Sequence, residues 1–204
     1  MMSQTPSKAQ TSGRDAAALA ITPPQIVGPF YPVSEHPDLA TDLARPSGST
    51  AEALGQLIHL SGRVLTRSGA PVPHARIDIW QANAAGKYRH PSDINPAPLD
   101  PNFKGFARLT TDAAGHYSFR TVKPGRYPTA EGEVRPPHIH LTVEGRFDCL
   151  VTQLYFAGEE ENVTDRWLNA APHPERLIVT LQNSPSRLER HALIAHFDIV
   201  LASG

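Results

Sequence analysis

The sequence has almost no cysteine: Cys149 is the single thiol in 204 residues. That excludes a disulfide framework and a cysteine-built metal cluster, and it fits a reducing, cytoplasmic setting. Nor is there a charge surplus. With a formal net charge of −1, neither nucleic acid nor an anionic membrane surface is expected as a partner. Long apolar runs are missing, so no membrane span is expected. Residues 1–21 lack the apolar stretch of a secretory leader and read as a mobile segment, with a brief helix over 15–20 as its one structured option. Long helices are disfavoured as well. The chain holds 20 prolines, about a tenth of its residues against a usual ~5%, and each removes a backbone donor and blocks a helix interior.

What is present is strand text. Period-two alternation or short apolar runs bounded by Gly, Pro and Asp mark residues 57–65, 75–80, 106–111, 116–122, 138–143, 150–156, 177–181 and 194–201 as strands. The turn Asp112-Ala-Ala-Gly115 is expected to join two of them as a hairpin. Residues 161–170 read as the single good helix, and 37–44 as one or two helical turns. Cys149 opens an apolar strand and is expected to be inert core. The expectation is one all-β domain, an antiparallel β-sandwich with long loops and an N-terminal arm. Its boundaries are a mobile segment over 1–21, an arm over 22–55 and the sandwich over 56–204.

The chemistry gathers in Tyr127-Pro-Thr-Ala-Glu-Gly-Glu-Val-Arg-Pro-Pro-His-Ile-His140. On a strand, His138 and His140 project to one face while Ile139 points away. Two imidazoles so placed can begin a transition-metal site, and equally can sit on a half-exposed strand. A second segment, Trp80-Gln-Ala-Asn-Ala-Ala-Gly-Lys-Tyr-Arg-His90, leads into a polar, proline-rich excursion over 91–103 of the length that functional loops have. It supplies Tyr88. Tyr88, Tyr127, His138 and His140 together offer two phenols and two imidazoles. A structural zinc site favours cysteine and a ferrous oxygenase site adds a carboxylate to two histidines. A phenol with a free pKa near ~10 ionises at neutral pH only on a strong Lewis acid, which points to Fe(III). Two phenolates and one hydroxide would neutralise that charge in a buried site. Without those four residues, the strand–turn–strand text would fit a transthyretin-like or adhesin-type sandwich module that binds metal or partners and catalyses nothing.

Residues 22–204 resemble the intradiol ring-cleavage dioxygenases, and most of all the iron-binding β chains of the protocatechuate-cleaving members. The matching text is Trp80-Gln-Ala-Asn83, Tyr88-Arg-His90, Ala97-Pro-Leu-Asp-Pro-Asn-Phe103, Tyr117-Ser-Phe-Arg-Thr-Val-Lys-Pro-Gly-Arg-Tyr-Pro128, Arg135-Pro-Pro-His-Ile-His140 and Thr152-Gln-Leu-Tyr-Phe156. The resemblance implies a non-haem Fe(III) cofactor held by Tyr88, Tyr127, His138 and His140. Tyr127 would be the ligand that leaves when a catechol binds. It also implies O2-dependent cleavage between the two hydroxyl-bearing carbons to a cis,cis-muconate, with protocatechuate as first choice of substrate and catechol, hydroxyquinol or another substituted catechol as alternatives. Arg135 matches the family's active-site arginine, and Gln153 and Tyr155 match positions just behind the ligands.

Two departures stand out. Thr129 occupies the place of a tryptophan near the substrate, which reshapes the pocket. Thr22-Pro-Pro-Gln-Ile-Val-Gly-Pro-Phe-Tyr31 resembles the arm of the partner α chain, so this one chain carries both the arm and the ligand motifs. Gly28, Pro29 and Tyr31 are therefore expected to line the substrate pocket, within a homo-oligomer that could share the arm between chains.

Overall fold

In the computed structural model the chain is described over residues 18–33, 41–184, 189 and 191–204. The mobile segment and brief helix expected within 1–20 fall mostly outside this range, and so do most of the helical turns expected over 37–44. Residues 41–44 are not helical. The strands are β1 (Leu57–Thr66), β2 (Arg76–Trp80), β3 (Phe106–Thr110), β4 (His116–Val122), β5 (Tyr127–Pro128), β6 (Val134–Arg135), β7 (His138–Glu144), β8 (Cys149–Phe156), β9 (Ile178–Val179), β10 (Gln182–Asn183), β11 (Leu193–His196) and β12 (Ile199–Leu201); α1 is Arg166–Ala170. Among the described residues no helix is long and apolar enough to cross a membrane.

Two five-stranded sheets form the sandwich. In one, β10 pairs with β11, β11 and then β12 pair with successive stretches of β1, and β4 pairs with β1 on the edge opposite β11. The other runs β3-β2-β7-β8-β9. Both bury one face in a common core: Ile58, Leu60 and Val64 from β1 meet Ile77 and Ile79 from β2 and Ile139, Leu141 and Val143 from β7. Period-two alternation produces this, since the residues between them point to the opposite faces. The sheets are mixed rather than purely antiparallel, because β11 and β12 run parallel to β1 and β9 runs parallel to β8.

Three expectations need correction. The Asp112–Gly115 turn forms, with Asp112 Oδ1 accepting from the backbone N–H groups of Ala114 and His116. Yet β3 pairs with β2 and β4 with β1, so the turn is a corner between sheets and not a hairpin. Residues 161–170 are not one helix. A 3-10 turn over Glu160–Val163 ends before Asp165, whose extended backbone and side chain cap α1 by accepting from Leu168 N–H. Cys149 is exposed, because it opens β8 at the strand's edge. Partial burial and the nearby Glu144 and Asp148 carboxylates push its thiol pKa up.

The arm is laid on its own chain. Thr22 N–H donates to Val200 O, Gln25 N–H to Val151 O, and Thr152 Oγ1 to Pro23 O. The arm thus crosses from the first sheet to β8 and then over the outer face of the second sheet.

Gly62 sits where β1 passes the Phe197 carbonyl, and a Cβ there would overlap that carbonyl. Gly62→Ala is expected to destabilise the fold by about 2 kcal/mol or more, read as a lower urea midpoint; an unchanged midpoint would contradict the packing described.

Candidate metal centre

The site is built on the register of three strands. His140 pairs across β7 with Trp80 on β2 and Gln153 on β8, and His138 pairs with Tyr155. Because cross-strand partners share a face, both imidazoles, Trp80, Gln153 and Tyr155 lie on the side of the sheet away from the core. Pro136-Pro137 hold the chain extended just before β7. The Trp80 ring stacks on His140 with centroids 4.8 Å apart and planes 10° apart.

Tyr127 arrives from β5, paired opposite Arg135 on β6. Tyr88 comes from the long connection between β2 and β3, which is held by side-chain to backbone bonds. Asn83 Oδ1 accepts from Ala85 and Lys87 N–H, and Asp93 Oδ2 accepts from Tyr88 N–H. Lys87 Nζ donates to the Asp93 and Asn95 carbonyls. Gly86, at φ +80°, packs against the Arg126 carbonyl so closely that a Cβ would overlap it. That contact fixes the Tyr88 loop against the residue preceding Tyr127.

These elements bring four side chains to one point. Tyr88, Tyr127, His138 and His140 are only 3%, 7%, 1% and 2% exposed. His138 Nε2 lies 3.1 Å from His140 Nε2 and 3.4 Å from each of the Tyr88 and Tyr127 hydroxyl oxygens. His138 Nδ1 is 2.8 Å from Pro136 O; a carbonyl can only accept, so Nδ1 carries the proton and Nε2 presents its lone pair to the cluster. His140 Nδ1 is buried without a full hydrogen-bond partner among the described residues, and the Ile26 backbone is the polar group that acts on this ring.

Burial, followed by the positive charge of Arg135, holds both imidazoles far below the ordinary histidine range, and His140 adds to the effect at His138. Burial, and then Tyr127, pushes the Tyr88 phenol well above its usual pKa; burial likewise raises Tyr127, with Arg135 opposing. Left to themselves, the four groups are neutral donors crowded together. A cation that ionises the phenols and takes the imidazole lone pairs resolves the arrangement. Among the described residues no group of three or more His, Cys, Asp and Glu could hold a metal, so a metal here would take its donors from the tyrosines as well. Two phenolate oxygens and two imidazole nitrogens suit a hard trivalent ion such as Fe(III).

With that geometry in hand, comparison with known proteins is decisive. Residues 26–203 match the family described as Dioxygenase. The chain is 40% identical over 178 residues to the protocatechuate 3,4-dioxygenase β chain of Burkholderia cepacia, covering 85% of this chain and 76% of that one. It belongs to the intradiol ring-cleavage dioxygenases. A hydroxyquinol 1,2-dioxygenase of Rhizobium sp. is 32% identical over 146 residues, of which this dioxygenase spans 46%. Among solved structures, the dioxygenase domain of a dioxygenase–carbohydrate-binding protein fusion from Streptomyces sp. SirexAA-E superposes with a TM-score of 0.67 at 28% identity, covering 91% of this chain and all of that one.

The remaining candidate residues of this dioxygenase separate into groups. Arg135 is 3% exposed and joins the cluster, with Nη1 3.4 Å from His138 Nε2. Its Nη2 donates to Gln153 Oε1 at 3.0 Å and to the Tyr155 hydroxyl at 2.7 Å. Gly28, at φ +72°, lies against the edge of the His140 ring, and Pro29 follows at the surface. Tyr31 turns away: its hydroxyl donates to Asp78 and its ring packs edge-on to Trp80 at 4.9 Å. Beside Gly28, the arm reaches the cluster through Phe30, whose ring centroid is 4.6 Å from that of Tyr88. Thr129 opens the turn between β5 and β6, with Oγ1 buried and without a partner among the described residues.

Phe30, Trp80, Asp165 and Trp167 are site residues that the motifs did not single out. Asp165 had a signal. A buried arginine requires a carboxylate, but Asp165 falls inside the helix expected over 161–170, and nothing in the sequence aligns the two.

The depressed imidazoles have a measurable consequence in the metal-free protein. The unfolded chain takes up protons on His138 and His140 near pH ~6.5, which the folded chain refuses. Stability is therefore expected to fall as pH drops below ~6.5 and to keep falling toward the lower folded-state values. His138→Gln should remove about one proton's worth of that dependence, measured by urea unfolding between about pH 7.5 and 5.5. Equal slopes in the two proteins would contradict the assignment of buried, neutral imidazoles.

Proposed function

We propose that the protein is a non-haem Fe(III) intradiol dioxygenase that cleaves a catecholic acid with O2, protocatechuate first, to 3-carboxy-cis,cis-muconate. The observation that carries this is the convergence of two phenol oxygens and two imidazole nitrogens on one buried point. Non-haem iron is the cofactor on which the family depends, and the relatives named for protocatechuate and hydroxyquinol share catecholic substrates. Tyr88, Tyr127, His138 and His140 would hold the iron. Bound there, Fe(III) supplies a Lewis acid to which a catecholate can chelate and whose pull on the ring oxygens makes the substrate reactive toward O2.

The chain's own residues do the rest. Tyr127 is less deeply buried than Tyr88 and sits on a two-residue strand, so it is the phenol free to swing aside. On leaving, its oxygen takes up one of the two catechol protons, while Tyr88 stays fixed by the Asn83–Asp93 loop. Arg135 points Nη1 at the cluster and places a permanent positive charge where electron density builds on the ring oxygens. Gly28, Phe30 and Trp80 wall off the His140 and Tyr88 side and exclude water there. Both atoms of O2 end in the product, one on each of the two carbons that had been joined. The arm hydrogen-bonds to its own chain, so a homo-oligomer of this protein need not share arms.

Thr129 leaves a smaller wall than a tryptophan would, which favours a second reading on the substrate alone: a bulkier or differently substituted catechol. Turnover with protocatechuate, catechol and hydroxyquinol compared side by side separates the two.

Tyr88→Phe is expected to lose most bound iron and His138→Ala to be iron-free and inactive, whereas Arg135→Ala should keep its iron and lose about 100-fold or more in kcat. Iron content by metal analysis and O2 uptake check these. Full activity in His138→Ala would overturn the ligand set, and normal turnover in Arg135→Ala would remove that residue from the chemistry.

A further inference from the structure

Arg135 is a buried cation, and its orientation is set from outside the ligand cluster. Asp165 takes two of its donors: Nε lies 2.8 Å from Oδ2 and Nη2 3.3 Å from Oδ1. Both side chains are almost fully buried, at 4% and 1% exposure, so this is an ion pair screened little by water. The same carboxylate caps α1, with Oδ1 accepting from Leu168 N–H at 2.8 Å. Two residues along, the Trp167 ring lies 4.3 Å from the Arg135 guanidinium carbon and 4.2 Å from that of Arg166. The guanidinium is therefore gripped at Nε by Asp165, held at Nη2 by Gln153 and Tyr155, and covered on its face by Trp167. Only Nη1 is directed at the ligands.

We propose that Asp165 is a positioning residue for the dioxygenase reaction: through the Arg135 ion pair and the α1 cap it aims the Nη1 edge of Arg135 at the catecholate, with Trp167 closing the face behind it. The proposal rests on the functional reading above and deepens it, because it adds the Asp165 carboxylate, just ahead of α1, to the active-site framework. A guanidinium can present any of three donor edges. One whose other edges are tied delivers its remaining donor without having to reorganise during the reaction. The negative charge of Asp165 also keeps Arg135 from standing as an uncompensated buried cation beside a trivalent metal.

Asp165→Asn separates these roles from plain support of the helix. Asparagine keeps an oxygen for Leu168 N–H, but it then turns its amide N–H groups, which cannot accept, toward the Arg135 donors. In the full-length, iron-loaded enzyme, D165N is expected to retain iron and bind protocatechuate anaerobically with a Kd within about threefold of wild type, while kcat falls by about 10- to 100-fold. Asn169→Ala is the control. Asn169 Nδ2 donates to the carbonyls of Asn162, Val163 and Asp165, so its loss weakens this corner of the chain while the Asp165 carboxylate keeps its contacts with Arg135 and Leu168 N–H, and kcat should stay near wild type.

Wild-type kcat in D165N would overturn the proposal, as would loss of iron in D165N or an equal loss of kcat in N169A. Should D165N fail to fold, Asp165→Glu keeps the charge with a longer reach and displaces the guanidinium. Lowered kcat with iron retained would then support the proposal, and unchanged kcat would overturn it. Wild-type protein without turnover on any catechol would overturn the functional reading and this inference together, whereas an active wild type with an unaffected D165N would overturn the inference alone.

Discussion

One hydrogen bond organises the site: His138 Nδ1–H to the Pro136 carbonyl, at 2.8 Å. It lies within the Arg135-Pro-Pro-His-Ile-His140 motif, so the backbone that holds the ring also selects its tautomer. With the proton on Nδ1, the Nε2 lone pair is aimed where Tyr88, Tyr127, His140 and Arg135 converge. The other tautomer would place a hydrogen between nitrogen and any metal. The double proline is therefore a device for presenting one lone pair, and the β7 register does the same service for His140.

Around that point the fold concentrates polar groups in a place with little water. The aromatic shell of Trp80, Tyr88, Phe106 and Tyr127, joined by Phe30 from the arm, lowers the local dielectric and so strengthens every electrostatic interaction inside. The cost is visible as phenols too weakly acidic, and imidazoles too weakly basic, to ionise by themselves. A trivalent ion held there would reverse that for the phenols. The permanent charge of Arg135 is compensated by Asp165, buried with it, and the arm's passage over His140 at Gly28 keeps solvent from the near side. Fold and chemistry meet in the second sheet, whose inner face supplies Ile139 and Leu141 to the core while its outer face supplies the two imidazoles.

Much of this was readable from the residues. The alternation in Ala75–Trp80 and His138–Val143 located the strands, and the His-x-His spacing placed both imidazoles on one face. What alternation cannot say is which sheet a strand joins. The Asp112–Gly115 turn has the same local chemistry whether its strands stay paired or part company, and here they part. Cys149 was misplaced for a related reason: at a strand's first residue, period-two reasoning has no neighbour to fix the face. Tyr31 and Phe30 show the limit in a proline-rich arm without regular structure, where adjacent aromatics went to opposite tasks. Asp165 read as an ordinary helix residue, because its second partner lies 30 positions away. Local pattern reveals what the backbone does nearby; long-range ion pairs and arm paths come from packing.

The most direct test is the visible absorption spectrum of the iron-replete protein before and after anaerobic addition of protocatechuate. Tyrosinate on Fe(III) gives a broad charge-transfer band and a red-brown protein, and the account predicts such a band, shifted when the catechol chelates. A band that ignores protocatechuate but moves with another catechol would keep the site and change the substrate. An iron-replete protein with no such band would contradict the central claim that Tyr88 and Tyr127 hold the metal.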